Sequence, residues 1–239
     1  MSNAIKLQPL TNQARLSAPV YEALKAQILS LDIYDPATER RMDERTLADQ
    51  LGISRTPLRE AIMRLEQEGF LEILPRRGVY IRQKTLEEIL EMLELWGALE
   101  GTAARIASTR ASDESVAHLR RLVSEQPHDP HEYSEANIVF HRMVLSLSGN
   151  QLMIETGDKL LEHLATVRRR AMIDPSRAER SLSDHAGIVA AIEGRHADLA
   201  ARRVEAHTAR LHAYLRRSWH MLTGEDSSAP AVAAAVNET

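Results

Sequence analysis

A chain of 239 residues without a single cysteine has room for two domains, and it excludes both a disulfide framework and a thiolate metal site. Aromatic residues are only 4% of it against 44% hydrophobic overall, which favours a leucine- and alanine-rich helical interior over a β-sandwich. The formal net charge is −4, yet residues 1–84 hold thirteen Lys+Arg against eleven Asp+Glu, so the acidic excess lies in the remainder and positive potential in the N-terminal third. No apolar run approaches the roughly 18 residues that span a bilayer, and no signal peptide is visible. The expectation is a soluble, cytoplasmic protein without a membrane partner.

Residues 1–16 carry no pattern, so order is expected from about residue 17. Val20, Leu24 and Ile28 recur every four residues and mark a first helix. Residues 35–42 read as a polar connection, with Arg40 and Arg41 either near a phosphate or in a solvated loop. From Glu44 the pattern sharpens. Leu47, Ala48 and Leu51 put apolar groups on one face of a second helix, which Gly52 ends because glycine alone enters the left-handed region without steric cost. Ser54 is placed to cap a third helix, with Pro57 in its first turn and Leu58, Ile62 and Leu65 facing inward. After Gly69, Leu71 and Ile73 alternate as in a strand, Pro75-Arg76-Arg77-Gly78 makes a basic turn, and Val79 and Ile81 alternate back. Two short helices across a tight turn, followed by a two-stranded wing, make a winged helix-turn-helix.

The polar side of the third helix carries the chemistry. Ser54, Arg55, Thr56 and Arg59 cluster at its N-terminal end, where unpaired N–H groups and the helix dipole favour a phosphate. Arginine adds a planar fork that grips a phosphate or pairs bidentately with guanine in the major groove. Arg45 stands at the start of the preceding helix, and Arg76, Arg77 and Gly78 form the wing tip that follows the duplex. A helical hairpin with a solvated basic face, or a winged helix used for protein contacts, is the competing reading. The combination of turn glycine, arginine-bearing helix tip and basic wing favours double-stranded DNA.

From Thr85, an N-cap with Glu87 and Glu88 in the first turn, no strand pattern remains. Leu86, Ile89, Leu90, Leu93 and Ala98 line one side of a helix reaching about Ser108. Ser112 or Asp113 starts another to about Glu125, Pro127-His128-Asp129-Pro130 breaks the chain, and helices follow at about 131–148, 150–173, 181–194 and 197–222. The fold class is therefore mainly α: a winged helix-turn-helix over 1–84, an all-helical bundle of about six helices over 85–222, and a disordered tail over 223–239.

Among ten histidines, three stand out. His141 follows Asn137 by one helical turn, His185 lies near the start of the penultimate helix, and His207 lies in the last helix. Three helices can present three imidazoles and one amide oxygen to one cavity, a donor set that suits zinc or nickel. Hydrogen-bonded core or surface histidines fit the spacing as well. Tyr133, on the same face as His141, reads as core.

The stretch LADQLGISRTPLREAIMRLEQEGFLEILPRRGVYI closely resembles the winged-helix domain of GntR-type bacterial transcription regulators, over roughly Val20 to Arg82. One departure is Leu31-Asp32-Ile33-Tyr34-Asp35-Pro36, where the family often has a glycine-containing turn. NIVFHRMVLSLSGN and DHAGIVAAIEGRHADLAARRVEAH resemble the helical FCD effector domain of the FadR-type branch. The resemblance implies a divalent metal held by an aspartate and three histidines, with His141, His185 and His207 at the histidine positions. Asn137 stands at the aspartate position, and its neutral oxygen coordinates a dication less strongly than a carboxylate. Trp96 stands where many relatives carry an arginine that holds an effector carboxylate; tryptophan either stacks on an aromatic effector or packs in the core.

The function so implied is a homodimeric repressor released from a palindromic operator by a small carboxylated metabolite, an aromatic acid being one candidate, and not an enzyme. The alternative is a helical metal-dependent hydrolase in which the three histidines activate water, with His128-Asp129 as a further ligand pair.

Overall fold

The computed structural model of the chain describes residues 14–125 and 129–224. The chain divides into two compact units between residues 83 and 84. The expected tail falls mostly on 225–239, and His128 on 126–128; both lie outside the described residues.

The first unit opens with α1 (Ala14–Ser30), three residues earlier than the apolar spacing indicates, because Ala14, Arg15 and Leu16 are good helix formers that no apolar periodicity marks. Residues 31–40 form turns, and Tyr34 anchors them with 3% exposure while Gln83 Nε2 donates to the Ile33 carbonyl. This buried tyrosine holds the segment where a glycine turn was wanting. Two helices then cross the turn at Gly52: α2 (Glu44–Leu51), capped by the Asp43 carboxylate, and α3 (Arg55–Gln67). Gly52 adopts φ 63°, so the turn does require a left-handed residue. Leu58, Ile62 and Leu65 are buried against α1, whereas Leu51, expected inward, is 40% exposed because α2 leaves the core at its last turn.

The wing holds more than the two strands expected. β1 (Arg41–Met42) pairs antiparallel with β3 (Gly78–Ile81), which pairs with β2 (Leu71–Leu74), giving the order β1-β3-β2. The segment read as a polar connection therefore supplies an edge strand, with Arg41 opposite Tyr80. The tip turns through Arg76 at φ 63° and Gly78 at φ 110°.

The second unit contains α4 (Leu86–Arg110), α5 (Asp113–Ser124), α6 (Pro130–Ser146), α7 (Gln151–Met172), α8 (Pro175–Glu193) and α9 (Ala197–Thr223). Thr85 and Glu88 close a reciprocal capping box on α4, and Ser112 and Asn150 cap α5 and α7. α8 starts six residues before the expected 181. Asp174-Pro175 is a start signal as well as a break: the aspartate accepts from the Ser176 and Arg177 N–H groups, and proline sits at the first helical position. α9 runs through Thr223 and ends at Gly224 with φ 68°.

α4 and α9 pack along each other, and small residues allow the close approach. A Cβ on Gly97 would lie 3.3 Å from Thr208 Cγ2, and one on Gly101 3.4 Å from Glu205. On α4 the inward stripe runs through Leu93, Trp96, Glu100 and Ala104, so Ala98, expected on it, faces out. A polar side chain, Glu100, thereby sits at an interior position. Among the described residues no helix is long and apolar enough to cross a membrane.

Candidate DNA-reading face and buried histidine pocket

In the first unit, Arg45, Arg55 and Arg59 converge on one open cleft with Arg41 and Gly78, between β1, α2, the head of α3 and the wing strand β3. Arg41 was not singled out by the helix-turn-helix pattern; pairing of β1 with β3 brings it in. Ser54 occupies the cap position of α3, but its hydroxyl makes no capping hydrogen bond, so the first N–H groups of α3 stay open to an anion. Ser54 and Thr56 are exposed beside the cleft, and Arg76 and Arg77 are exposed at the wing tip. Arg59 Nε donates to Glu44 Oε2 at 2.8 Å, an exposed pair that a phosphate can displace.

In the second unit, α6, α8 and α9 bring His141, His185 and His207 together. One donor nitrogen of each lies within 4.8 Å of the others, and each ring is at most 1% exposed. Asn137, one turn before His141, is also buried. His185 stacks on Phe140 with ring centroids 3.9 Å apart.

The hydrogen bonds fix two tautomers. Arg168 Nη1 lies 2.9 Å from His141 Nε2, and a guanidinium only donates. His141 Nε2 therefore accepts, and Nδ1–H donates to Glu100 Oε1 at 2.6 Å. Trp96 Nε1 donates to the other oxygen of Glu100 at 2.8 Å. His207 Nδ1 donates to Asp184 Oδ2 at 3.2 Å, which leaves Nε2 as its acceptor, and Arg210 grips the second oxygen of Asp184. A carboxylate behind each of two imidazoles is the arrangement that orients histidines toward a metal.

Several buried polar atoms here have no protein partner: Asn137 Oδ1, both ring nitrogens of His185, His207 Nε2, Arg168 Nε, and Arg177 Nε and Nη1. Each such group costs about 1–3 kcal/mol unless something meets it. The oxygen and imidazole lone pairs suit a divalent metal, and the N–H groups suit an anion. The residues therefore fit both.

Trp96 is fully buried. Besides its bond to Glu100, its ring meets the edge of His141 at 5.8 Å, and the Arg168 guanidinium lies 5.2 Å from its centroid. Glu100, Arg168, Arg177 and Asp184 complete the pocket and were not selected from the sequence. Asp129 caps the first turn of α6, accepting from the Glu132 N–H at 3.0 Å.

Burial holds all three imidazoles neutral. It pulls His141 and His185 well below the usual histidine range, and His207 down to about 4 against the lift of its Asp184 bond. Burial also pushes the Glu100 carboxyl up to about 7, against the pull of Arg168, His207 and the Trp96 N–H. The histidine contribution is intact above about pH 6.5, where the unfolded rings are neutral too. It is lost as pH falls toward 4, where only the unfolded state takes up protons, at roughly 3 kcal/mol for His207 alone. Glu100 acts in the opposite sense between about pH 4.5 and 7, one group against three. Urea denaturation of the metal-free protein should accordingly show lower stability at pH 5 than at pH 7.

Comparisons with known proteins agree with this architecture. The model of the bacterial regulatory proteins of the gntR family matches residues 16–81, and that of the FCD domain matches residues 91–210. The Nta operon transcriptional regulator of Aminobacter aminovorans is 34% identical over 172 residues, covering 70% of this chain and 80% of its own. The HTH-type transcriptional repressor RspR of Escherichia coli (strain K12) is 24% identical over 84% of this chain and 86% of its own. Among solved structures, E. coli McbR/YncC superposes with a TM-score of 0.65 at 18% identity, covering 85% of this chain and 98% of that one. A GntR regulator of Rhodococcus sp. RHA1 gives 0.64 at 20% identity, covering 86% and 99%.

Proposed function

We propose that this chain, which belongs to the GntR family of bacterial transcription regulators and carries an FCD domain, is a repressor that a small carboxylate releases from its operator. Its families and relatives are transcription regulators, not enzymes, and the hydrolase alternative has no support. One observation carries the DNA-reading part: Arg41, Arg45, Arg55 and Arg59 converge at the open head of α3. Arg55 and Arg59 would enter the major groove with Ser54 and Thr56, while Arg45, Arg76, Arg77 and Gly78 follow the backbone. A homodimer would place two such heads on a palindromic operator.

In the second unit, Asn137, His141, His185 and His207 would hold a divalent metal, zinc or nickel fitting the imidazole donors, and the metal when bound supplies a Lewis-acid anchor for an effector carboxylate. Arg168 and Arg177, with unpartnered N–H groups, would take the effector's remaining negative charge. Trp96 in this reading supports the pocket by holding Glu100 and backing His141. The repressor sign follows relatives named as repressors, such as RspR.

The direct test is operator binding by Arg59→Ala across a salt series. Loss of a bidentate base contact should weaken binding by about 1–3 kcal/mol and relax specificity at one base pair. Arg76→Ala should instead weaken binding on all sequences and reduce the salt slope by about one ion. Wild-type affinity in Arg59→Ala would exclude this docking of α3.

A further inference from the structure

We propose that Arg168 competes with the metal for His141, so that a carboxylate and the metal enter the pocket as a pair. This rests on the metal and effector reading above and adds an order of loading to it.

The geometry begins at one nitrogen. Because His141 Nδ1–H is committed to Glu100, Nε2 carries the only lone pair this ring can offer a metal. Arg168 Nη1 already donates into that lone pair at 2.9 Å. A single lone pair cannot serve a guanidinium N–H and a metal at once, so completing the three-histidine set requires Arg168 to withdraw. Arg168 is 3% exposed and its guanidinium lies beside the Trp96 ring, so it leaves only for another buried partner.

Charge sets the partner. Arg168 and Arg177 bring two buried guanidiniums, and the Asn137 amide brings no charge. Glu100 is taken up by Trp96 and His141, and Asp184 by His207 and Arg210. A dication added to this set meets two buried guanidiniums, while the Glu100 and Asp184 carboxylates stand behind the imidazoles with both oxygens engaged and none left to ligate it directly. An entering carboxylate reverses the balance. Its two oxygens match the unpartnered Arg168 Nε and the unpartnered Arg177 Nε and Nη1. Arg168 then turns from His141 to the carboxylate, Nε2 is freed, and the metal binds beside the new negative charge. Asn137 is consistent with this order, because an aspartate there would supply a ligating carboxylate permanently.

The test is zinc affinity of the full chain by equilibrium dialysis, with zinc alone and with zinc plus benzoate or acetate. Wild type should bind zinc weakly alone and about 5- to 150-fold more tightly with a saturating carboxylate, the range of ordinary site-to-site coupling. Arg168→Met should bind zinc alone more tightly than wild type by a similar factor, and carboxylate should raise its affinity by a smaller factor than in wild type. Arg168→Gln repeats the measurement if methionine impairs folding, and Asn137→Asp should bind zinc without carboxylate. Equal zinc affinity in wild type and both Arg168 variants overturns the competition while leaving the metal site standing. Failure of wild type, the Arg168 variants and Asn137→Asp to bind zinc under any condition removes the metal reading itself, and the competition with it.

Discussion

Replacing Trp96 with alanine should destabilise the second unit by about 3–5 kcal/mol in chemical denaturation, the usual cost of removing a large buried aromatic. The indole has no exposed surface and lies on the inward stripe of α4, where Gly97 and Gly101 bring α9 close. Its loss opens a cavity that helices held at that distance cannot close, and it also strips the N–H donor from Glu100 Oε2. Trp96→Phe separates the two effects. It keeps most of the ring and removes only the donor, so the expected stability cost is about 1–3 kcal/mol. The Glu100 carboxyl, already raised to about 7 by burial, should rise further, and its hold on His141 Nδ1 should weaken. Metal affinity should then drop by about 10- to 100-fold, as it does when a partner behind a metal-bound histidine is lost. A Trp96→Phe protein with unchanged stability and unchanged metal affinity would show that the indole N–H supports nothing.

His185→Leu should have the opposite profile: no loss of stability without metal, and no response to metal. In the metal-free protein both nitrogens of His185 are buried without a partner, and its ring contributes mainly its stack on Phe140. Leucine removes two unmet polar atoms at similar volume, so the variant should be as stable as wild type or more so. Wild type at a zinc concentration about 100 times its dissociation constant should gain about 2.7 kcal/mol, and the variant nothing. A variant that loses several kcal/mol in metal-free buffer would make His185 a core residue rather than a ligand.

What the sequence displays depends on how local the signal is. The helix-turn-helix is legible because Gly52, Ser54, Pro57 and the 58/62/65 stripe lie within fourteen residues and all report the same turn. β1 is not legible, because a two-residue strand exists only through its pairing with Val79 and Tyr80, some forty residues away in sequence. The histidines are legible in spacing, but their pocket is not. Arg168 reads as the first of three consecutive arginines, a basic helix end. Yet it continues the inward row of Leu161, Leu164 and Ala165, and a charge on an apolar row is the signal for a buried functional group. Arg177 carries the same signal on α8, in register with Ser181, His185 and Ile188, but a helix start placed at 181 leaves it outside the helix. Glu100 lies on the α4 stripe for the same reason that Ala98 does not. A small misphasing of a helix, or a late start, thus conceals the residues that matter most in the pocket.

The measurement that bears most directly on a ligand-released repressor is operator affinity with the pocket empty and filled. The duplex is selected from DNA flanking the chain's own gene, and titrations are run in metal-free buffer and in zinc plus the carboxylate that gives the largest thermal shift. Coupling between pocket and reading head predicts weaker operator binding in the second condition, by about 5- to 150-fold, with operator in turn lowering ligand affinity by the same factor. His185→Leu should bind the operator equally in both. Unchanged or tighter operator binding by wild type in the presence of zinc and carboxylate would contradict release by this pocket.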